Sequence, residues 1–189
     1  MKRLLKILVL LAAGLPLLAF AAADKPNILV IWGDDIGWAN ISKYNHGIMG
    51  YQTPNIDRIA EEGALFTRAF VTNSICAPSR AVMLTGKHSF KNGKVDNLQP
   101  FNWDQDNFAK RLQQAGYQTA MIGKIHLNGL PQGFDYSNIL PGQGQYYNPD
   151  FIENGERKQY HGYCTQITTD LALDWMKNKR DQSKPFLML

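Results

Sequence analysis

Cysteine is scarce in this chain: two in 189 residues, Cys76 and Cys164. At most one disulfide can form, so the fold rests on a hydrophobic core and not on a covalent framework. Charge is also thin. Asp, Glu, Lys and Arg make up 19% of the residues and balance to only +4. Part of that excess sits in the first six residues, so no basic surface for nucleic acid is indicated. The chain has no internal repeat and no low-complexity tract. Nor does it have the run of ~20 apolar residues that crosses a bilayer as a helix. With 44% hydrophobic and 11% aromatic residues, there is material for one packed core of ordinary size.

The amino terminus stands apart. Lys2, Arg3 and Lys6 form a basic start, Ile7 to Phe20 is apolar but broken by Gly14 and Pro16, and Ala21-Ala22-Ala23 offers a small-residue cleavage site. Residues 1–23 are expected to be a secretory signal. The protein is then periplasmic or secreted, without a stable membrane anchor. No cysteine follows the cleavage site, which argues against a lipoprotein anchor.

Beyond residue 24 the pattern alternates. Asn27–Trp32, Ala64–Val71, Tyr117–Ile122 and Phe186–Leu189 are short apolar runs expected to be strands, the first buried on both faces. Thr53 and Pro54 open a helix that Gly63 ends, with Ile56, Ile59 and Ala60 on its apolar face. Further helices are expected over Asp106–Ala115 and Thr165–Lys177. Lys87 to Lys94 is expected as a solvated loop, and Pro131 to Asp150 as a long one. The fold class is α/β, a mostly parallel sheet with helices on both faces.

The chemistry concentrates at Cys76-Ala77-Pro78-Ser79-Arg80. A proline two residues after the cysteine fits the first turn of a helix. Cys76 is thus placed at the helix N-terminus, where free N–H groups and the dipole favour negative charge. Arg80 lies one turn further on the same face. Nucleophile, cation and helix end together suit a tetrahedral oxyanion such as sulfate or phosphate. Taken alone, the pattern is equally that of a structural cysteine beside a surface arginine. Two other places add to it. Asp34 and Asp35 follow the first strand, where ligands of open α/β sheets bind and where paired carboxylates suit a hard cation or simply make a turn. Lys124 and His126, two apart just past a strand, point the same way in extended backbone.

Cys76 to Gly86, with its trailing Leu84-Thr85-Gly86, resembles the signature of the type I sulfatases of the alkaline phosphatase superfamily. The Asp34-Asp35 pair, Thr53-Pro54-Asn55-Ile56-Asp57, Gly63-Ala64-Leu65-Phe66 and Gly123-Lys124-Ile125-His126-Leu127 resemble further elements of that family. Most relatives have Trp where this chain has Ile125. The resemblance implies that Cys76 is oxidised to formylglycine by a formylglycine-generating enzyme and that its hydrate is the nucleophile. It also implies that Asp34 and Asp35, with the oxygen derived from Cys76, hold a divalent metal, most simply calcium, and that Arg80, Lys124 and His126 line the sulfate pocket. The role of Thr53 to Asp57 is taken to be structural. The loops around Gly133–Tyr136 and Pro141–Pro149 resemble bacterial N-acetylglucosamine-6-sulfatases, implying a sulfated glycan substrate. Residues 24–189 are then the N-terminal part of a catalytic domain, expected to be inactive alone, because the family's second metal pair and further sulfate-binding Lys and His have no counterpart here. A phosphatase or phosphodiesterase of the same superfamily, or a non-catalytic glycan-binding relative, is the alternative.

Overall fold

The computed structural model describes residues 25–189, so the signal expected over residues 1–23 lies outside the described residues. In chain order the principal elements are β1 (Ile28–Leu29), α1 (Pro54–Glu62), α2 (Cys76–Thr85), α3 (Phe108–Gln114), β2 (Gln118–Lys124), β3 (Tyr136–Leu140), β4 (Asp150–Glu153), β5 (Glu156–Gln159), α4 (Cys164–Asp174) and β6 (Phe186–Met188). The strands form one sheet in the order β1-β6-β2-β3-β4-β5. The first four in that order run parallel, and β4 and β5 are antiparallel additions.

Both faces of the sheet are covered. Met121 and Leu187 point to one side, against Ala77, Ala81 and Leu84 of α2 and Ala109 of α3. Ala120, Ile122, Phe186 and Met188 point to the other, where Trp175 and the α4 residues Leu171 and Ala172 meet them. This is the period-two alternation of a strand buried on two sides. Burial of Leu84 and Leu187, both fully inaccessible, contributes about 2 kcal/mol each. α3 starts where Asn107 Oδ1 accepts the Lys110 amide at 2.9 Å. That bond satisfies one of the first-turn donors, which have no partner within the helix. α4 loosens into a wider turn over Trp175–Lys179 before the chain leaves it.

α1 starts after Thr53 and stops at Gly63 as its sequence predicts. Thr53 does not cap the helix with its own hydroxyl. It donates instead to Asp57 Oδ1 at 2.8 Å, while Asp57 Oδ2 accepts from Ser42 Oγ at 2.6 Å. The Thr53–Asp57 segment thus ties the 42–45 turn to α1, a structural role.

Three expectations are corrected. Among the described residues the strand over Asn27–Trp32 is laddered to β6 alone, with Leu29 49% and Ile31 75% exposed. These two side chains, two residues apart, share one face, and that face is not covered by the described residues, so the strand is not buried on both faces there. Ala64–Val71 forms no strand, and Phe66, Phe70 and Val71 face outward. β propensity needs a partner strand to act on, and none of the described residues supplies one there. The long loop over Pro131–Asp150 contains β3, paired in parallel with β2. Its buried polar residues, Ser137 and Asn138, gave the stretch a loop-like composition. The Ser137 backbone amide reaches Asn154 Oδ1 at 2.8 Å and Asn138 Nδ2 reaches the Tyr160 hydroxyl at 3.3 Å, while Asn138 Oδ1 has no partner among the described residues. The β4–β5 hairpin turns on Asn154-Gly155, both at positive φ (49° and 96°). Asn-Gly is the pair that suits such a turn.

Candidate active site

Cys76 is the first residue of α2, entered from Ile75 in extended backbone. Pro78 and Arg80 are buried within the same turn and a half. The Arg80 guanidinium, 7% exposed, is held in place by three contacts. Nη2 lies 3.1 Å from Asp34 Oδ2, Nη1 donates to the Lys124 carbonyl, and the group sits 5.3 Å over the Trp32 ring. Burial lowers its pKa, while Asp34 and Cys76 oppose that pull. Guanidinium remains charged in any case.

Asp34 receives two cations on one oxygen, Lys124 Nζ at 2.7 Å and Arg80 Nη2 at 3.1 Å. Burial pushes its carboxyl pKa up, but the hydrogen bonds and charges of Lys124 and Arg80 outweigh this and hold it below the usual carboxylate range. Lys124, the last residue of β2, also donates to Gln143 Oε1 at 2.6 Å. Gly123 before it has φ +103°, and a Cβ there would stand 3.0 Å from Thr168 Cγ2. Only glycine lets α4 approach the strand end that closely.

His126 reaches the nucleophile itself, with Nδ1 3.2 Å from Cys76 Sγ. Asn97 approaches from the other side: its Oδ1 accepts the Ala77 amide at 3.1 Å and the Cys76 thiol at 3.4 Å. Because a backbone N–H points at this atom, it is the amide's oxygen and not its nitrogen. The one thiol proton is then donated to Asn97, which leaves His126 Nδ1–H as the donor to sulfur. Burial, followed by the charges of Lys124, Lys94 and Arg80, holds His126 below the ordinary histidine value against the pull of Asp34. The neutral ring is therefore favoured until an anion enters.

Cys76, Arg80, Lys124, His126 and Asp34 thus converge as their motifs predict. The route differs for one pair. Lys124 and His126 do not share a side of extended backbone, because His126 sits at φ +52°. A left-handed residue past the strand end turns the imidazole toward α2 while Lys124 reaches Asp34. Asp35 follows Asp34 at φ +56° with its side chain exposed.

Sequence reasoning missed Asn97 and Gln143, lone polar residues in loops that no periodicity marks. The solvated loop expected over Lys87 to Lys94 is corrected: Ser89–Asn92 forms a helical turn, and the Lys94 side chain is fully buried. Asn73 is accounted for by the loop it holds, donating to Ser89 Oγ at 3.0 Å. Cys164 is buried, and both cysteines are free thiols, so no bond joins Cys76 to Cys164.

Asp34 and Asp35 carry the hard oxygen donors that calcium or magnesium takes. Among the described residues no three of His, Cys, Asp and Glu gather closely enough to enclose an ion. These residues fit one side of a metal site.

The sulfatase family profile matches residues 26–189. The N-acetylglucosamine-6-O-sulfatase of Bacteroides thetaiotaomicron is 50% identical over 168 residues, covering 87% of this chain and 30% of that protein. The N-acetylgalactosamine-6-sulfatase of Canis lupus familiaris is 32% identical over 225 residues, covering 96% and 41%. A solved structure described as a complex with its substrate, D-glucosamine-2-N,6-O-disulfate, superposes with a TM-score of 0.84 at 50% identity, covering 87% of this chain and 33% of that one. The chain spans less than half the length of each of these relatives. With the family pattern running through almost every described residue and its motifs meeting at one end of the parallel strands, this chain belongs to the sulfatase family.

Proposed function

We propose that the whole protein hydrolyses a sulfate ester on an amino-sugar glycan, of the 6-sulfate type, with Cys76 as the precursor of a formylglycine nucleophile. The observation that carries this reading is the placement of Cys76. It sits at the N-terminus of α2 within 3.2 Å of His126, one helical turn from Arg80, which with Lys124 is fixed on Asp34. The substrate class is supported by the name of the Bacteroides relative and by the sulfated glucosamine bound in the similar solved structure.

The chemistry follows from the groups present. One hydroxyl of the hydrated aldehyde attacks sulfur, and the ester S–O bond breaks as the alcohol leaves with a proton. Arg80 and Lys124 offset the charge that builds on the sulfuryl oxygens, a stabilisation that is strong because the groups are held in place beforehand. A sulfate anion raises the proton affinity of His126, which then donates to it. The second hydroxyl loses its proton, the carbon–oxygen bond to sulfate breaks, and the aldehyde returns. A plain thiol or serine has no second hydroxyl to drive that release.

Asp34 and Asp35 would hold a divalent cation, calcium in this reading, which supplies positive charge that favours the ionised nucleophile. Maturation requires a formylglycine-generating enzyme as a transient partner. Export to the periplasm or medium rests on residues 1–23. Among the described residues no helix is long and apolar enough to cross a membrane.

The test is sulfate release from 6-O-sulfated N-acetylglucosamine by the full-length protein, co-expressed with a formylglycine-generating enzyme and checked by intact mass. Release that depends on the modification is expected. A fully modified, folded protein that releases none, or that prefers a phosphate monoester, overturns the reading.

A further inference from the structure

We infer that Asn97 is a positioning residue for the nucleophile: its side-chain oxygen holds one donor of the group at position 76 and thereby selects which face of that group meets the substrate. The catalytic consequence rests on the sulfatase reading above; the positioning itself does not.

Asn97 lies 21 residues beyond Cys76, yet its Oδ1 sits against both the Cys76 side chain and the next backbone amide. The loop that returns it is pinned on both sides. Asp96 Oδ1 accepts the amides of Leu98 and Gln99, each at 2.8 Å. Asn92 Oδ1 accepts the Lys94 amide at 2.8 Å. Lys94 is fully buried, and its ammonium donates to the Gln99 carbonyl. A lysine is seldom buried without a strong reason. Here it closes the loop that carries Asn97, and its charge also lies within reach of Cys76.

One lone pair of Asn97 Oδ1 is taken by the Ala77 amide, and the other faces position 76. When sulfur is replaced by the two hydroxyls of a hydrated aldehyde, that lone pair can accept from one of them only. The hydroxyl so held is turned toward Asn97, and the other is left on the side of His126. Fixing the attacking atom in this way removes orientational freedom before the reaction begins. A misplacement of about 1 Å at such a centre costs on the order of a hundredfold in rate.

The experiment uses the full-length protein, with rates normalised to formylglycine content by mass spectrometry. Asn97→Ala is expected to lower kcat by about ten- to a hundredfold while KM moves by less than about threefold. Asn97→Asp keeps the acceptor and is expected to recover most of the loss, which a purely structural role does not predict. In protein made without the modifying enzyme, Cys76 in Asn97→Ala is expected to react several-fold faster with iodoacetamide, because its proton is no longer held. Asn97→Asp is expected to stay at or below the wild-type rate. Should Asn97→Ala not fold, Asn97→Leu, which keeps the bulk of the side chain but has no acceptor, carries the same expectations. An unchanged kcat with unchanged alkylation overturns the inference, as does a raised KM at constant kcat, which makes Asn97 a substrate contact. A modified wild-type protein that releases no sulfate fails the sulfatase reading instead, and the alkylation rates then decide the positioning role.

Discussion

The Lys124 ammonium lies 2.7 Å from the Asp34 carboxylate, although the strands they follow are not neighbours. Lys124 ends β2 and Asp34 follows β1, with β6 lying between those strands in the sheet. A group assigned to sulfate is thus paired with a group assigned to the metal. Removing the lysine leaves Asp34 with Arg80 as its one remaining cationic partner here and also removes a positive charge that repels a cation. Lys124→Met is therefore expected to raise calcium affinity several-fold by calorimetry in sulfate-free buffer, while turnover falls by about a hundredfold. Weaker calcium binding in this variant would contradict the arrangement.

Asp34 and Asp35 are expected to act together. The double variant Asp34→Ala, Asp35→Ala should lose most of its calcium affinity and its activity. An unchanged binding isotherm would show that the carboxylates serve only as partners of Arg80 and Lys124.

Cys76→Ala removes the nucleophile and little else, since the Cys76 side chain is only partly buried at the helix end. Turnover should fall by at least about a thousandfold, with thermal unfolding within a few degrees of wild type. Near-wild-type sulfate release from a folded Cys76→Ala protein rules out formylglycine chemistry.

Far from the site, Glu153 accepts from the Tyr136 hydroxyl at 2.6 Å and lies 3.0 Å from Lys179 Nζ. The Tyr136 hydrogen bond is the largest influence on its pKa. Burial opposes that bond, which together with the hydrogen bond and charge of Lys179 and the charge of Lys158 holds the pKa below the ordinary glutamate value. A depressed carboxylate pKa stabilises the fold above the unfolded-state value, ~4.3. That contribution is lost as pH falls through the folded-state value. Glu153→Gln is expected to lower stability by about 1 kcal/mol at pH 7 and to flatten the acid limb of a Tm-versus-pH curve. An unchanged acid limb would count against the cluster.

Asn107 caps α3 from a nearly inaccessible position. Asn107→Ala should cost about 1 kcal/mol, read as a lower urea midpoint at unchanged slope, without altering turnover per folded molecule.

The site was legible to the extent that each of its residues sits at a local boundary. Cys76 and Arg80 belong to one helical turn, Lys124 closes a strand, and Asp34 follows one. Such positions are marked by their neighbours: Pro78 in the first turn, Gly86 at the end of α2, Gly123 before Lys124. Asn97 and Gln143 carry no such mark. Each matters only because a loop brings it back to a distant element. β3 was illegible for a related reason. Ser137 and Asn138 look like loop residues until the Ser137 amide is seen to meet Asn154 and the Asn138 side-chain nitrogen to meet Tyr160.

By itself the sequence determined where helices start and stop and which residue types stand at strand ends. These follow from sterics and hydrogen bonds that act within a few residues. Tertiary structure alone decided that β6, more than 150 residues after β1, inserts between β1 and β2. It alone decided that one carboxylate oxygen of Asp34 takes both Arg80 and Lys124, and that Asn97 meets Cys76. The physical reason is that such contacts depend on strand order and loop return, in which the energy of every other contact takes part, and no window of neighbouring residues contains that information.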